Sequence, residues 1–146
     1  MVIQIVPIKE ISFENWQSLW KEYLKYYKST FQTEVTQNTW KKLTSNTCPH
    51  VYGFAAIINE DVVGIVHVVE HDSCWTISPY AYLQDLFTQE KYRGQGVARK
   101  LIEEVEREAK NRKCDRVYWM THESNEQAQI LYNKIARKTG FIQYRL

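Results

Sequence analysis

The chain lacks paired cysteines, a dominant charge and any long apolar run, and each absence closes off a class of protein. Its three cysteines, Cys48, Cys74 and Cys114, are odd in number, far apart and contain no C-x-x-C pair. Neither a disulfide framework nor a metal site is expected, and a reducing, cytoplasmic setting fits. Nineteen Lys+Arg stand against 17 Asp+Glu, a net charge of +2, which is too balanced to argue for nucleic acid as a partner. No apolar stretch approaches the length of a membrane span. The N-terminus, Met1-Val2-Ile3-Gln4-Ile5-Val6-Pro7, lacks the basic start and long apolar core of a signal peptide. Repeats, linkers and low-complexity segments are absent too. What remains is 146 residues, 44% hydrophobic and 14% aromatic. That is the composition of one globular domain, residues 1–146, large enough to bury a core unaided.

Glycine is scarce, with five in the chain, yet two stand close together in Lys91-Tyr92-Arg93-Gly94-Gln95-Gly96-Val97-Ala98-Arg99-Lys100-Leu101. This stretch follows an apolar, aromatic run, Tyr80 to Thr88, and opens an amphipathic helix with Val97, Leu101 and Val105 at i, i+4 and i+8. Strand, glycine loop and helix start together present free backbone N–H groups to an anion. The charges agree. A helix start is positive and favours acidic residues, but here Arg99 and Lys100 occupy the first turn, with Lys91 and Arg93 upstream. A polyphosphate ligand would relieve that repulsion. A tight turn with solvated cations is the alternative that these residues alone leave open.

Elsewhere the periodicity predicts a strand over 2–8 and a helix N-capped by Ser12. That helix carries an apolar stripe of Trp16, Leu19, Trp20, Tyr23, Leu24 and Tyr27. A short second helix is expected over 36–43. Strands 51–58 and 62–69 flank Asn59-Glu60-Asp61 as a hairpin. A strand over 116–120, a helix over 125–138 and a last strand, Phe141 to Tyr144, complete the chain. Glu103–Arg107 and Glu106–Lys110 are expected pairs on the outer face of the long helix. His67 and His71, four apart, form no metal motif, and His67 is expected to be packed or to face a groove. Ser124 and Gln127 read as a capping box. The element order is that of an α+β sheet with helices on both faces. A Rossmann fold is excluded, because its glycines belong on the first strand-to-helix turn and its third glycine is missing here.

Arg93-Gly94-Gln95-Gly96-Val97-Ala98 resembles the Q/R-x-x-G-x-G/A signature of the GNAT superfamily of acetyl-CoA-dependent N-acetyltransferases. Asn125-x-x-Ala128-x-x-Leu131-Tyr132, in the right order and distance downstream, resembles a second element of that family. The flanking sequence looks most like the fungal histone-and-other-protein acetyltransferase type and its bacterial relatives. The resemblance implies a mixed, mostly antiparallel sheet of six to seven strands flanked by about four helices. It implies acetyl-CoA contacts at Leu86, Phe87 and Thr88, at Arg93, Gly94, Gln95, Gly96, Val97, Ala98 and Arg99, and at Asn125, Ala128 and Tyr132. It also places the first two helices beside the acceptor, which makes Tyr23, Tyr26 and Tyr27 candidate contacts. A homodimer is expected, helped by the aromatic strand at the end of the chain.

The implied reaction moves acetyl from a thioester to a primary amine, of a small molecule, an amino acid or a protein lysine, by direct attack in a ternary complex. The leaving thiolate resembles Cys, with a pKa of about 8.5, and a Tyr phenol, at about 10, can protonate it. Tyr132 is the candidate acid, ahead of Tyr118 and Tyr144, because it shares the motif face. The base is open. Many relatives carry Glu where this chain has Gln84. Asp85 would point to the other face of a regular strand. Glu123, beside His122 at the mouth of the final helix, and a water chain are the other choices. An idle acyl-CoA-binding regulatory module is the alternative function.

Overall fold

The computed structural model describes residues 1–146. Strand β1 (Gln4–Pro7) leads through a short 3-10 turn to helix α1 (Phe13–Tyr26) and helix α2 (Thr33–Thr44). Ser12 caps α1, its Oγ accepting from Asn15 N at 3.1 Å. The chain then makes β2 (Val51–Ile58), β3 (Asp61–His71) and β4 (Tyr80–Thr88). Asn59 and Glu60 turn between β2 and β3 with φ of 49° and 72°, the positive angles that a tight hairpin of right-handed twist requires. Helix α3 (Val97–Asn111), β5 (Arg116–Tyr118) and α4 (Glu126–Ile135) follow. The sheet runs β1-β2-β3-β4-β5. Every neighbouring pair is antiparallel except β4 and β5, which are parallel.

Strand alternation divides the core between two faces. Val66 and Val68 of β3 and Ala81 and Leu83 of β4 pack under Val97, Leu101, Ile102 and Val105 of α3. Ile65 of β3 and Phe87 of β4 turn the other way, toward Trp16, Leu19 and Trp20 of α1 and Leu43 of α2. Trp20 Nε1 donates to Thr36 Oγ1 at 3.2 Å and ties the two helices together. Each large side chain so buried contributes about 1.5–3 kcal/mol.

Several expectations need correction. The sheet has five strands, not six to seven. Residues 136–146 form no regular element, and Phe141, Ile142, Tyr144 and Leu146 are exposed. A strand needs a ladder, and the hydrogen bonds of Phe141 and Arg145 run only to Thr139 and Gln143. Helix α2 starts at Thr33, and β5 stops at Tyr118. The cap of α4 is Asn125, whose Oδ1 accepts from Ala128 N at 3.3 Å. Ser124 instead bonds His122 Nδ1 at 2.6 Å. On α3, Glu106–Lys110 forms at 2.9 Å, but Arg107 turns to Glu104 and leaves Glu103 to Arg99.

Gly64 lets α3 approach the sheet. A Cβ there would lie 2.9 Å from Val97 Cγ1, 3.2 Å from Leu101 Cδ1 and 3.2 Å from the Phe87 carbonyl. Overpacking of this kind costs about 1–3 kcal/mol. Gly64→Ala should lower the urea midpoint accordingly, and a midpoint equal to the parent's would contradict this packing.

Candidate active site

The site begins with an irregularity in β4. Val69 pairs with Tyr82 and Val68 with Leu83, but His67 pairs with Asp85. Gln84 is skipped and exposed. This bulge resets the alternation. Asp85 leaves the face that a regular strand would give it and joins Tyr82 and His67 on the α1 side. Two adjacent polar residues, Gln84 and Asp85, inside an apolar strand were the one sequence signal for it.

Asp85 is then enclosed. His67 Nδ1 lies 2.9 Å from Oδ2, and Tyr23 donates its hydroxyl to Oδ1 at 2.6 Å. Burial pushes the carboxyl up, but the hydrogen bond and field of His67 and the hydrogen bond from Tyr23 outweigh it, so Asp85 lies below its ordinary value. It is an anion at neutral pH. Burial, then the field of Asp85, pushes Tyr23 well above its usual range. Tyr27 and Tyr82 are raised for the same leading reason, and both feel Asp85. Tyr82 stacks on Tyr118 of β5 at 5.1 Å. The result is a carboxylate floor with tyrosine walls from α1, β4 and β5.

Beyond Tyr82 and Tyr118, β4 and β5 no longer pair, so Leu83–Thr88 runs on with an open edge toward β5. The expected contacts Leu86, Phe87 and Thr88 lie on it, and Thr88 Oγ1 is buried with no partner. Next come Gly94 and Gly96, with φ of 75° and 89°, and a Cβ on either would meet nothing within 4 Å. Their backbone angles, and not crowding, demand glycine. Gly96 begins α3 without a side-chain cap. No N–H from Gly94 through Arg99 has an internal acceptor; the first bonded donor is Lys100, to Gly96 O at 3.0 Å. A run of free donors at a helix start is an anion cradle.

The cations around it are arranged unequally. Arg99 and Lys100 are exposed and share Glu103 at 3.5 and 3.8 Å, which relieves part of the repulsion expected there. Arg93 folds back, its guanidinium 5.1 Å from the Tyr26 ring and 5.6 Å from Phe87, its Nε donating to Thr88 O at 3.0 Å. On α4, Ala128 and Tyr132 share one half-buried face with the capping Asn125. Tyr132 packs edge-on against Trp119 at 5.4 Å. Burial, with the fields of Tyr27 and Tyr26, pushes its hydroxyl up to about 12, so it remains protonated and faces the α1 tyrosines. Glu123 is exposed, and its side chain has no hydrogen-bond or salt-bridge partner.

An open strand edge, an uncapped helix start and a carboxylate under tyrosines thus lie together along β4 and its continuation into α3. The family model described as Acetyltransferase (GNAT) family matches residues 14–136, and the chain belongs to that family. It is an acetyl-CoA-dependent N-acetyltransferase. It is 36% identical over 145 residues to the D-amino-acid N-acetyltransferase HPA3 of Saccharomyces cerevisiae, covering 98% of this chain and 89% of that protein. Two solved structures share the fold. The ribosomal-protein-alanine N-acetyltransferase of Brucella melitensis has a TM-score of 0.83 at 16% identity, over 99% of both chains. The aminoglycoside N-acetyltransferase AAC(6')-Iy in complex with CoA has a TM-score of 0.86 at 19% identity, over 99% of this chain and 94% of that one. The expected fungal histone type finds support only at the level of the family. Nothing found favours an idle module.

Gly96→Glu should abolish acetyl-CoA binding in calorimetry while the protein stays folded, because it strains a left-handed position by about 1–2 kcal/mol and sets a carboxylate at the cradle. Undiminished affinity in a folded variant would remove the cradle from the site.

Proposed function

We propose that the acceptor is a small primary amine bearing an ammonium group, with D-amino acids the first class to try. The observation that carries this is Asp85, a half-buried carboxylate with no lysine or arginine partner, in a groove walled by tyrosines. A cation entering there gains a charge-assisted hydrogen bond and cation–π contacts. The yeast relative's name supports the amino-acid class. The test is turnover with acetyl-CoA and a panel of D-amino acids, L-amino acids, thialysine and sisomicin. A panel silent throughout, in a protein that binds acetyl-CoA, would refute this reading.

In the mechanism we propose, Asp85 takes one proton from the ammonium. The neutral nitrogen attacks the acetyl carbon, and the open edge of β4 at Leu86–Thr88 offers backbone donors to the oxyanion. The carbon–sulfur bond then breaks. Tyr132 protonates the departing thiolate and recovers a proton from the nitrogen of the new amide, so one proton leaves overall. Arg93, held on Phe87 and Tyr26, borders the groove, and the cradle from Gly94 to Arg99 holds the pyrophosphate. Glu123, at the exposed start of α4, serves to attract cations and not as the base.

We also propose that residues 1–146 act as one domain, in the cytoplasm, as a homodimer. Three free cysteines suit a reducing compartment, and no helix is long and apolar enough to cross a membrane. The unpaired tail with Phe141, Ile142, Tyr144 and Leu146 exposed supports a second subunit as its cover. Sedimentation should give twice the mass of the 17.4 kDa chain; monomer alone at high concentration, with and without acetyl-CoA, would refute it.

Tyr132→Phe keeps the ring against Trp119, so fold and acetyl-CoA affinity should barely change. Turnover should fall about 10²–10⁴-fold at neutral pH. The loss should shrink with an acyl donor whose leaving thiol is more acidic. Turnover at the parent rate would take the acid role from Tyr132.

A further inference from the structure

Beyond Asp85, toward the start of β4, the α1-side face of the sheet carries a group of rings that pack only on one another. Strand pairing sets it out. Tyr82 stands opposite Val69 of β3 and Tyr118 of β5, and Tyr80 stands opposite His71 and Arg116. Their neighbours Ala81, Leu83 and Val68 point the other way, into the layer beneath α3. Tyr82 and Tyr118 stack at 5.1 Å with 25° between their planes. His71 and Tyr80 meet Tyr118 edge-on at 5.7 and 6.3 Å. The rings of α1 gather elsewhere, with Trp16 and Trp20 on His67 and Tyr23 on Phe87. Tyr80, Tyr82 and Tyr118 are accordingly left half-buried and His71 exposed.

The group is fixed in place before any ligand arrives. Tyr118 Oη lies 2.6 Å from His71 Nε2, and His71 Nδ1 lies 2.8 Å from Asp72 O. Rings already held lose little freedom when a ligand packs on them. The end of the group far from Asp85 is positive, because the Arg116 guanidinium sits over Tyr80 at 4.3 Å. The bulge at Gln84 puts Tyr82 next to Asp85 on this face, about 7 Å along the strand. A nitrogen held at Asp85 therefore gives the side chain on its neighbouring carbon a route over Tyr82 and Tyr118. A flat ring suits that surface, since aromatic pairs favour offset or edge-on contact. A cationic side chain would meet the like charge of Arg116.

We propose that Tyr82 and Tyr118 form the side-chain subsite of the acceptor and select amino acids with an uncharged aromatic side chain over small or cationic ones. This rests on the reading of Asp85 as the group that holds the acceptor nitrogen. Taking one such ring out of water there raises affinity by about ten- to a hundredfold.

The test is kcat/KM at saturating acetyl-CoA for D-phenylalanine, D-alanine and D-arginine, each of which has a single primary amine. The parent should prefer D-phenylalanine to either of the others by about tenfold or more, chiefly through KM. Tyr118→Val suits a strand and removes the ring. It should bring the ratio of D-phenylalanine to D-alanine to within about twofold. A general loss of stability or turnover would lower both substrates alike and leave that ratio unmoved. If Tyr118→Val does not fold, Tyr82→Val carries the same expectation, and the parent's own preference needs no variant. A parent that acetylates D-alanine or D-arginine as well as D-phenylalanine, or a folded variant that keeps the parent's ratio, would overturn the subsite and leave the amino-acid reading standing. A parent that binds acetyl-CoA and acetylates no D-amino acid would remove that reading and the subsite together.

Discussion

One skipped residue in β4 organises the functional half of the molecule. With Gln84 out of the ladder, Tyr82 and Asp85 fall on the same face, and Asp85 comes to lie beside His67 and under Tyr23. Had the strand kept its alternation, Asp85 would have turned into the apolar layer beneath α3, where Leu83, Val66 and Leu101 pack. A lone carboxylate there would be forced to neutralise or to unfold its surroundings. The bulge is thus the condition for having a half-buried anion in this sheet at all. It also places that anion where the pairing of β4 with β5 has just ended, next to an open strand edge.

The two halves of the site hang from the two ends of the same segment. At one end lie Tyr82 and Asp85, the proposed acceptor groups. At the other, Thr88 leads through a short 3-10 turn to Gly94, Gly96 and the uncapped start of α3. Helix α3 is fixed to the sheet by Val97, Leu101 and Val105 over Gly64. The cradle and the carboxylate are therefore held by one rigid strand and one well-packed helix, and not by independent loops. Arg93 links them, leaning on Phe87 and bonding Thr88 O while it stacks on Tyr26 of α1. Fixed relative placement of this kind is what a two-substrate transfer requires.

How much of this was legible in the sequence varied by element, for physical reasons. Helices α1 and α3 have dense apolar periodicity, and their packing follows it. The Gly94–Gly96 loop was legible because positive backbone angles leave few residues to choose from. The cap of α4 was misread by one position, since Ser124 and Asn125 are both competent caps and only the bond from Ser124 to His122 decides between them. The final strand failed because composition cannot supply a neighbour. Asp85 was seen but sent to the wrong face, because a bulge is a property of the paired strand and not of the residue. The Trp16–His67–Asp85 chain spans 69 positions of sequence (Trp16 to Asp85) and three elements, and no local pattern announces such a contact.

The proposed role of Asp85 as base raises a conflict that the groove itself can resolve. In water, moving a proton from an alkylammonium, with a pKa of about 10.4, to a carboxylate at about 3.9 is uphill by about 9 kcal/mol. Neighbours that depress Asp85 further make it a poorer base still. But the comparison in water leaves out solvation. An ammonium and a carboxylate enclosed together have each lost hydration worth several kcal/mol, and proton transfer between them replaces two buried charges with two neutral groups. The nitrogen can attack only after that transfer has freed its lone pair, and its next proton becomes far more acidic once it bonds to the acetyl carbon. In the proposed mechanism the low value of Asp85 acts first, in attracting and orienting the cation, and the carboxylate takes the proton once both groups are enclosed, before the nitrogen attacks. Through both stages His67 and Tyr23 hold the carboxylate by one hydrogen bond each, at 2.9 and 2.6 Å, so it keeps its place and aim.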